Sequence, residues 1–173
     1  MNIKHTVWML LLLANRAAFG QAAGTPRTNT PVVSAAPTIT ILAAPTGAML
    51  QSQGANNASM NLGPISYFKG TSAAGETSQK TPGAFVVSTR FELKVDCPGS
   101  SSSRVNLTAS RLDASASYTI AIDGIALGPV AQTLVPSMPC GSGGEHRLDV
   151  QVPVSTLAGP IGSTVAFTAT LRQ

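Results

Sequence analysis

Strict alternation of apolar and polar residues is the feature that most constrains the fold of this chain. Its best example runs from Phe85 to Cys97, where every second residue is apolar or small and most residues between them are polar or charged. A period of two sends alternate side chains to opposite faces of a β-strand, so the pattern predicts a strand with one buried face. Cys97 falls on that buried face, at the end of the strand.

The same alternation recurs elsewhere, and no segment after residue 20 shows a helical period. Asp123-Gly124 lies between two apolar stretches and favours the positive φ angles of a type I′ hairpin. Short strands separated by Gly, Pro and Ser turns, without crossover helices, predict an all-β fold, specifically an antiparallel Ig-like β-sandwich. The other strong strand predictions are 105–109, 118–122, 146–154 and 164–171, and the weaker ones are 38–43, 48–51, 59–68 and 130–135.

The N-terminus predicts export. Lys4 precedes a short apolar run, and small residues then follow at the positions that signal peptidase requires. The run is shorter than the roughly 20 apolar residues of a membrane-spanning helix. We therefore predict a signal peptide over 1–20, cleaved before Gln21, and a secreted, periplasmic or cell-surface location. Cleavage before Ala23 and an uncleaved anchor are the alternatives.

Residues 21–37 are rich in Ala, Thr and Pro and predict a flexible leader ahead of a β-sandwich domain over 38–173. Removing Lys4 and Arg16 with the signal takes the basic residues from 11 to nine, against seven acidic residues. These charges are scattered singly, which argues against the dense basic face of a nucleic-acid-binding protein. Charged residues make up 10% of the chain, against about 25% in typical globular proteins.

Cys97 and Cys140 are the only cysteines. An even pair in an exported chain predicts a disulfide. Their spacing lacks the Cys-x-x-Cys pattern of redox-active pairs. We therefore expect a structural bridge, worth roughly 4 kcal/mol in the chain-entropy description.

Groups suited to catalysis are few. His146 is the only histidine after the signal, and the alternation sends its neighbours Glu145 and Asp149 to the opposite strand face. We therefore predict a surface or strand-end histidine, no metal site and no cofactor. Ser142 lacks the Gly-x-Ser-x-Gly spacing of a hydrolase nucleophile. A glycoside-cleaving site formed by carboxylates far apart in sequence is an alternative, but we expect that the protein is not an enzyme.

Three segments carry a family resemblance: Ser59–Ile65, Phe91–Cys97 and Gly162–Leu171. Together they resemble chaperone-usher pilins and the related spore coat protein U-like domains. The resemblance implies an Ig-like sandwich that lacks one strand, which a neighbouring subunit supplies by β-strand addition. It also implies that the donor strand would come either from Pro31-Val32-Val33 or from Thr38, Ile39, Thr40, Ile41 and Leu42.

The pilin pattern places a cysteine much nearer the mature N-terminus than Cys97. Residues 38–43 are therefore alternatively the first strand of a self-complete sandwich.

The leading functional hypothesis is an exported, non-enzymatic structural or adhesive domain of the cell envelope, a fimbrial, pilin-like subunit. Its expected partners are copies of itself or other envelope proteins, joined by β-strand addition, with no nucleic acid and no membrane span after signal cleavage. The alternative is a secreted carbohydrate- or protein-binding module, which would use Tyr67, Phe68 or the loops at 70–83 and 140–144. A hydrolase with dispersed carboxylates is the third hypothesis.

Overall fold

A computed structural model describes residues 35–63, 77–99, 102–113, 117–155 and 162–172. The predicted signal peptide and most of the predicted leader lie outside the described residues. Every regular element in the described ranges is a β-strand. The eleven strands are β1 Thr38–Ala43, β2 Met49–Ala55, β3 Asn57–Asn61, β4 Thr77–Thr81, β5 Ala84–Asp96, β6 Arg104–Arg111, β7 Thr119–Ile122, β8 Ile125–Leu127, β9 Gln132–Pro139, β10 Ser142–Pro153 and β11 Thr164–Leu171.

These strands pair antiparallel in the order β8-β7-β10-β5-β1-β2-β3-β11-β6-β9, and β4 also pairs with β5. The two ends of this path, β8 and β9, approach one another, and the N–H of Arg111 at the end of β6 donates to the carbonyl of Gly128, just after β8, at 2.8 Å. The sheet is therefore nearly closed and barrel-like. The prediction of an all-β antiparallel fold is confirmed.

A single hairpin makes the strand path continuous. β1 pairs along β5, whereas β2 pairs along β3, and β1 and β2 share a ladder only at Thr38–Ala55 and Ile39–Gly54. Beyond that ladder the two strands diverge, and the Ile41 N–H donates instead to Gln53 Oε1 at 2.9 Å. The chain thus passes from one half of the sheet to the other within this hairpin.

The core lies between the two halves and follows the predicted alternation. Phe91 of β5 and Phe167 of β11 meet at its centre, with ring centroids 5.5 Å apart. Burying one large apolar side chain stabilises a fold by about 1.5–3 kcal/mol. Other fully buried side chains are Ile39, Met60, Leu93, Val95, Val105, Leu107, Ile120, Ile122, Leu148 and Val150.

The predicted disulfide is present. Cys97, just after β5, is bonded to Cys140 in the turn between β9 and β10, and the two Cα atoms are 5.5 Å apart. β9 pairs only with β6 among the described strands, whereas β10 pairs with β5 and β7. The bridge therefore fastens the chain where it crosses from one half of the sheet to the other.

The predicted hairpin at Asp123-Gly124 is confirmed. Both residues have positive φ, 50° and 82°, as a type I′ turn requires. Ile122 and Ile125 pair on either side of the turn, joining β7 to β8.

Several strand boundaries differ from the prediction. β10 begins at Ser142 and ends at Pro153, so Val154, the last residue of the strand predicted over 146–154, lies beyond the strand and is exposed. The strand predicted over 59–68 appears as β3, and residues 64–68 lie outside the described ranges. β4 and β8 were not predicted, because one is polar throughout and the other is only three residues long.

Candidate functional site

His146 is buried, so the prediction of a surface or strand-end histidine was wrong. It lies on the inward face of β10 with 6% of its surface exposed. Its Nδ1 is 2.7 Å from Asp123 Oδ2, and its ring stacks on Phe91 at 5.4 Å. Nε2 is buried and has no hydrogen-bond partner among the described residues. The imidazole therefore holds the β7–β8 turn against the core and offers no nitrogen to a substrate.

The neighbouring acids lie on the outer face, as predicted. Glu145 forms an ion pair with Arg90, and Asp149 accepts hydrogen bonds from Ser88 and Arg147. No group of three or more His, Cys, Asp or Glu side chains in the described ranges has the geometry of a metal site.

A second polar cluster, centred on Arg111, was missed at the sequence level. Arg111 ends β6 in the inward phase, and its side chain is 6% exposed. The guanidinium binds both carboxylate oxygens of Asp113, at 3.1 and 2.9 Å, and donates to the Tyr118 carbonyl at 2.9 Å. It also lies 4.4 Å from the centroid of the Tyr118 ring. An arginine in phase with Val105, Leu107 and Ala109, followed two residues later by an acid, was the available signal.

This cluster ties together three parts of the chain. The Tyr118 hydroxyl lies 3.1 Å from Asp113 Oδ2 and 2.7 Å from the Gly162 carbonyl, which accepts from it, and the buried Ser163 hydroxyl donates to Asp113 Oδ1. Burial alone would raise the pKa of Asp113, but hydrogen bonds from Arg111, Ser163, the backbone and Tyr118 together lower it to about 2. Burial and the adjacent carboxylate raise the pKa of Tyr118. The cluster lies where the end of β6 approaches Gly128 after β8, and it stabilises this closure of the sheet, which we call the seam.

The β1–β2 hairpin exposes apolar side chains. Leu42 is 53% exposed, Met49 63% and Leu50 43%. From Met49 to Gln53 the side of β2 away from β3 forms no backbone ladder with another described strand. We call Leu42 together with Met49–Gln53 the uncharged edge, because the sequence holds no charged residue between Arg27 and Lys69.

The other strand edges carry features that discourage pairing with another chain. β9 contains Pro136 and Pro139, positive φ at Ser137 and two register shifts. β4 presents Lys80, and β8 is only three residues long. Prolines, bulges, lysines and short length are the usual protections of edge strands. The uncharged edge has no charge and no proline.

The structure places the predicted donor-strand residues, Thr38 to Leu42, within β1 of the same chain. Ile39 and Ile41 are buried in its core and the strand runs along β5. The other predicted donor, Pro31-Val32-Val33, and the aromatic pair Tyr67 and Phe68 lie outside the described residues.

The class defined by these features is an antiparallel all-β domain, closed by one disulfide, whose buried polar groups are engaged in holding the fold. Compared with protein-family models, curated protein sequences and solved structures, the chain matches none. In the described ranges, no helix has the length and apolar character needed to cross a membrane.

Proposed function

We propose that this chain is an exported, non-enzymatic structural or adhesive domain of the cell envelope, which assembles with copies of itself by β-strand addition at the uncharged edge. The observation that carries the proposal is the edge itself: three exposed apolar side chains, two of them on β2, whose side away from β3 has no backbone ladder from Met49 to Gln53. This edge carries no charge and no proline. Main-chain hydrogen bonds supply affinity in strand addition, and alternate side chains supply specificity.

A second copy of this chain suits the edge because neither partner brings a charge to it. Two β2 strands related by a two-fold axis near Gln51 would place Leu50 beside Ser52 of the other copy. Such an isologous contact opposes no like charges. The exposed side chain of Gln51 would add hydrogen-bonding groups to the contact.

Two further observations support the envelope assignment. The Cys97–Cys140 bridge fits an oxidising compartment. The titratable groups best placed for chemistry, His146 and Asp113, are committed to contacts within the fold. The proposal includes an Ig-like sandwich and the resemblance to pilins. In this proposal β2 accepts a strand from another copy, and β1 does not act as a donor strand.

The test is the size of the exported protein in solution. Full-length chain produced by export should yield a product whose mass corresponds to a start at Gln21. Light scattering behind size-exclusion chromatography should show its average mass rising with concentration. Leu50→Lys and Gln51→Lys should each raise the dissociation constant at least ten-fold, because a lysine at an edge disfavours strand addition.

Gln79→Lys is the matched control, since it adds the same charge to the exposed edge strand β4. It should leave assembly unchanged. A wild-type protein that stays monomeric at all concentrations would refute the proposal, as would equal effects of Gln51→Lys and Gln79→Lys.

A further inference from the structure

Two arginines lie directly opposite one another on the outer face of the sheet, on the neighbouring strands β5 and β10. Arg90 of β5 pairs in register with Arg147 of β10. Directly opposed residues of antiparallel strands project from the same face, where like charges repel. The carboxylates of Glu145 and Asp149, each paired with one of the two arginines, offset this repulsion.

Neighbouring side chains use only part of each guanidinium. Arg90 donates through Nη1 to Glu145. Arg147 donates through Nε to Asp149 at 2.8 Å and through Nη2 to Ser88 Oγ at 3.0 Å. Since a guanidinium carries five N–H groups, Nε and Nη2 of Arg90 and Nη1 of Arg147 have no acceptor among the described residues. Both side chains are more than half exposed, at 68% and 61%.

A depression of about 170 Å³ adjoins Arg90 and Arg147. It lies beside the part of β5 between Ser88, where pairing with β4 ends, and Glu92, where pairing with β1 begins. The described residues that line it are Thr77, Ser88, Thr89, Arg90 and Arg147. Thr77 and Ser88 contribute hydroxyl groups and the two arginines guanidinium groups, whereas the buried Thr89 belongs to the inward face of β5; no carboxylate is among the described lining residues, although Glu145 and Asp149 lie on the outer face.

We propose that this depression binds a tetrahedral oxyanion, sulfate or phosphate, as a free ion or as an ester group on a polysaccharide. Guanidinium groups bind oxyanions through paired, charge-assisted hydrogen bonds. Water in the liquid occupies about 30 Å³ per molecule, so the volume holds one such group and a few waters. An anion between Arg90 and Arg147 would also relieve their repulsion. The site goes beyond strand addition and does not depend on it.

The first experiment titrates the purified mature protein with sodium sulfate or sodium phosphate, with sodium chloride at matched ionic strength as the reference. Arginine Nε–H signals in nitrogen-15 NMR report binding at Arg90 and Arg147. A second arm measures binding to dextran sulfate and to uncharged dextran. Saturable shifts with sulfate or phosphate would identify a site for the free ion. Binding of dextran sulfate without any shift by the free ions would identify a site for the ester group. Either result supports the proposal.

Arg90→Gln with Arg147→Gln should weaken binding in the responsive arm at least ten-fold. Lys80→Gln with Arg172→Gln is the matched control, since it removes two positive charges at other exposed positions. Arg90→Lys with Arg147→Lys keeps the charge but removes the paired N–H donors of the guanidinium groups, and should also weaken binding. Circular dichroism and urea unfolding verify that each variant folds.

Equal losses in the two glutamine pairs would overturn the proposal, because the binding would then be nonspecific attraction to net charge. Wild-type protein that responds to sulfate and phosphate only as it does to chloride, and binds dextran sulfate no better than dextran, would overturn it as well. Neither outcome bears on the oligomer size that tests strand addition.

Discussion

At the scale of single residues, the titratable side chains of Asp113 and His146 make contacts that stabilise the fold. Asp113 receives hydrogen bonds from a buried arginine and a buried serine. His146 Nδ1 is hydrogen-bonded with the Asp123 carboxylate, and its Nε2 is buried. Buried polar groups are costly when unpaired, so the Asp113 network should contribute measurably to stability.

Replacing Asp113 by Asn should lower the free energy of unfolding at pH 7 by about 2 kcal/mol, because the buried Arg111 loses its counter-charge. The pKa of Asp113 is lowered to about 2 from 3.8. A lowered folded-state pKa contributes stability that is present above the unfolded pKa and lost as the pH falls toward the folded value. The difference between wild type and Asp113→Asn should therefore shrink between about pH 5 and pH 2.

Urea unfolding across this pH range measures the difference. Asp96→Asn, which removes a carboxylate from an exposed pair with Lys94, is the control and should cost less than about 1 kcal/mol. A constant difference between wild type and Asp113→Asn over the whole range would contradict the assigned role.

At the scale of elements, the β7–β8 hairpin shows how a local turn and a distant contact share one residue. Asp123 adopts φ of 50° in the turn. Its carboxylate also accepts a hydrogen bond from the backbone N–H of Arg147 at 2.8 Å and lies 2.7 Å from His146 Nδ1. The same side chain therefore shapes the turn and docks the hairpin on β10.

Asp123→Asn should change the free energy of unfolding by less than about 1 kcal/mol, because Asn-Gly favours the same turn and keeps one acceptor oxygen. Asp123→Ala should lower it by about 2–3 kcal/mol, since alanine disfavours positive φ and leaves buried His146 without its partner. Urea unfolding measures both, and amide exchange locates the loss in β7 and β8. Equal costs for the two variants would show that the carboxamide does not replace the carboxylate.

At the scale of the whole molecule, closure depends on contacts between residues far apart in sequence. The seam is held by the Arg111 cluster, and the crossing from β9 to β10 is held by the disulfide. The β1–β2 hairpin is the weakly laddered part of the path, with only two paired positions. The proposed assembly surface is therefore also the place where the sheet has the fewest hydrogen bonds to lose.

Replacing both Cys97 and Cys140 by Ser should lower the free energy of unfolding by about 4 kcal/mol, as expected for opening a loop that separates residues 43 positions apart. Differential scanning calorimetry with and without dithiothreitol measures the loss. Reductant should lower the melting temperature of the wild type and leave that of the double variant unchanged. A double variant as stable as the oxidised wild type would contradict a stabilising role.

The sequence by itself determined the features that depend on near neighbours in the chain. Alternation along β5 and β11 specified which side chains face inward, because a strand has a period of two. Asp123-Gly124 specified its hairpin through backbone preference, and a chain with two cysteines left one possible intrachain disulfide. These features follow from local geometry or from counting, so they could be read without knowing which strands meet.

The tertiary structure alone decided which strands are neighbours, and hence the chemistry of each surface. His146 is buried because the β7–β8 turn covers it. Arg111 is tolerated inside because the nearby Asp113 pairs with it, while Tyr118 and Ser163, from two other segments, bond Arg111 and Asp113 respectively. The opposed arginines and the uncharged edge likewise arise from strand register and from the divergence of β1 and β2. Register and the identity of neighbouring strands depend on pairings between residues far apart in sequence, which no local pattern encodes.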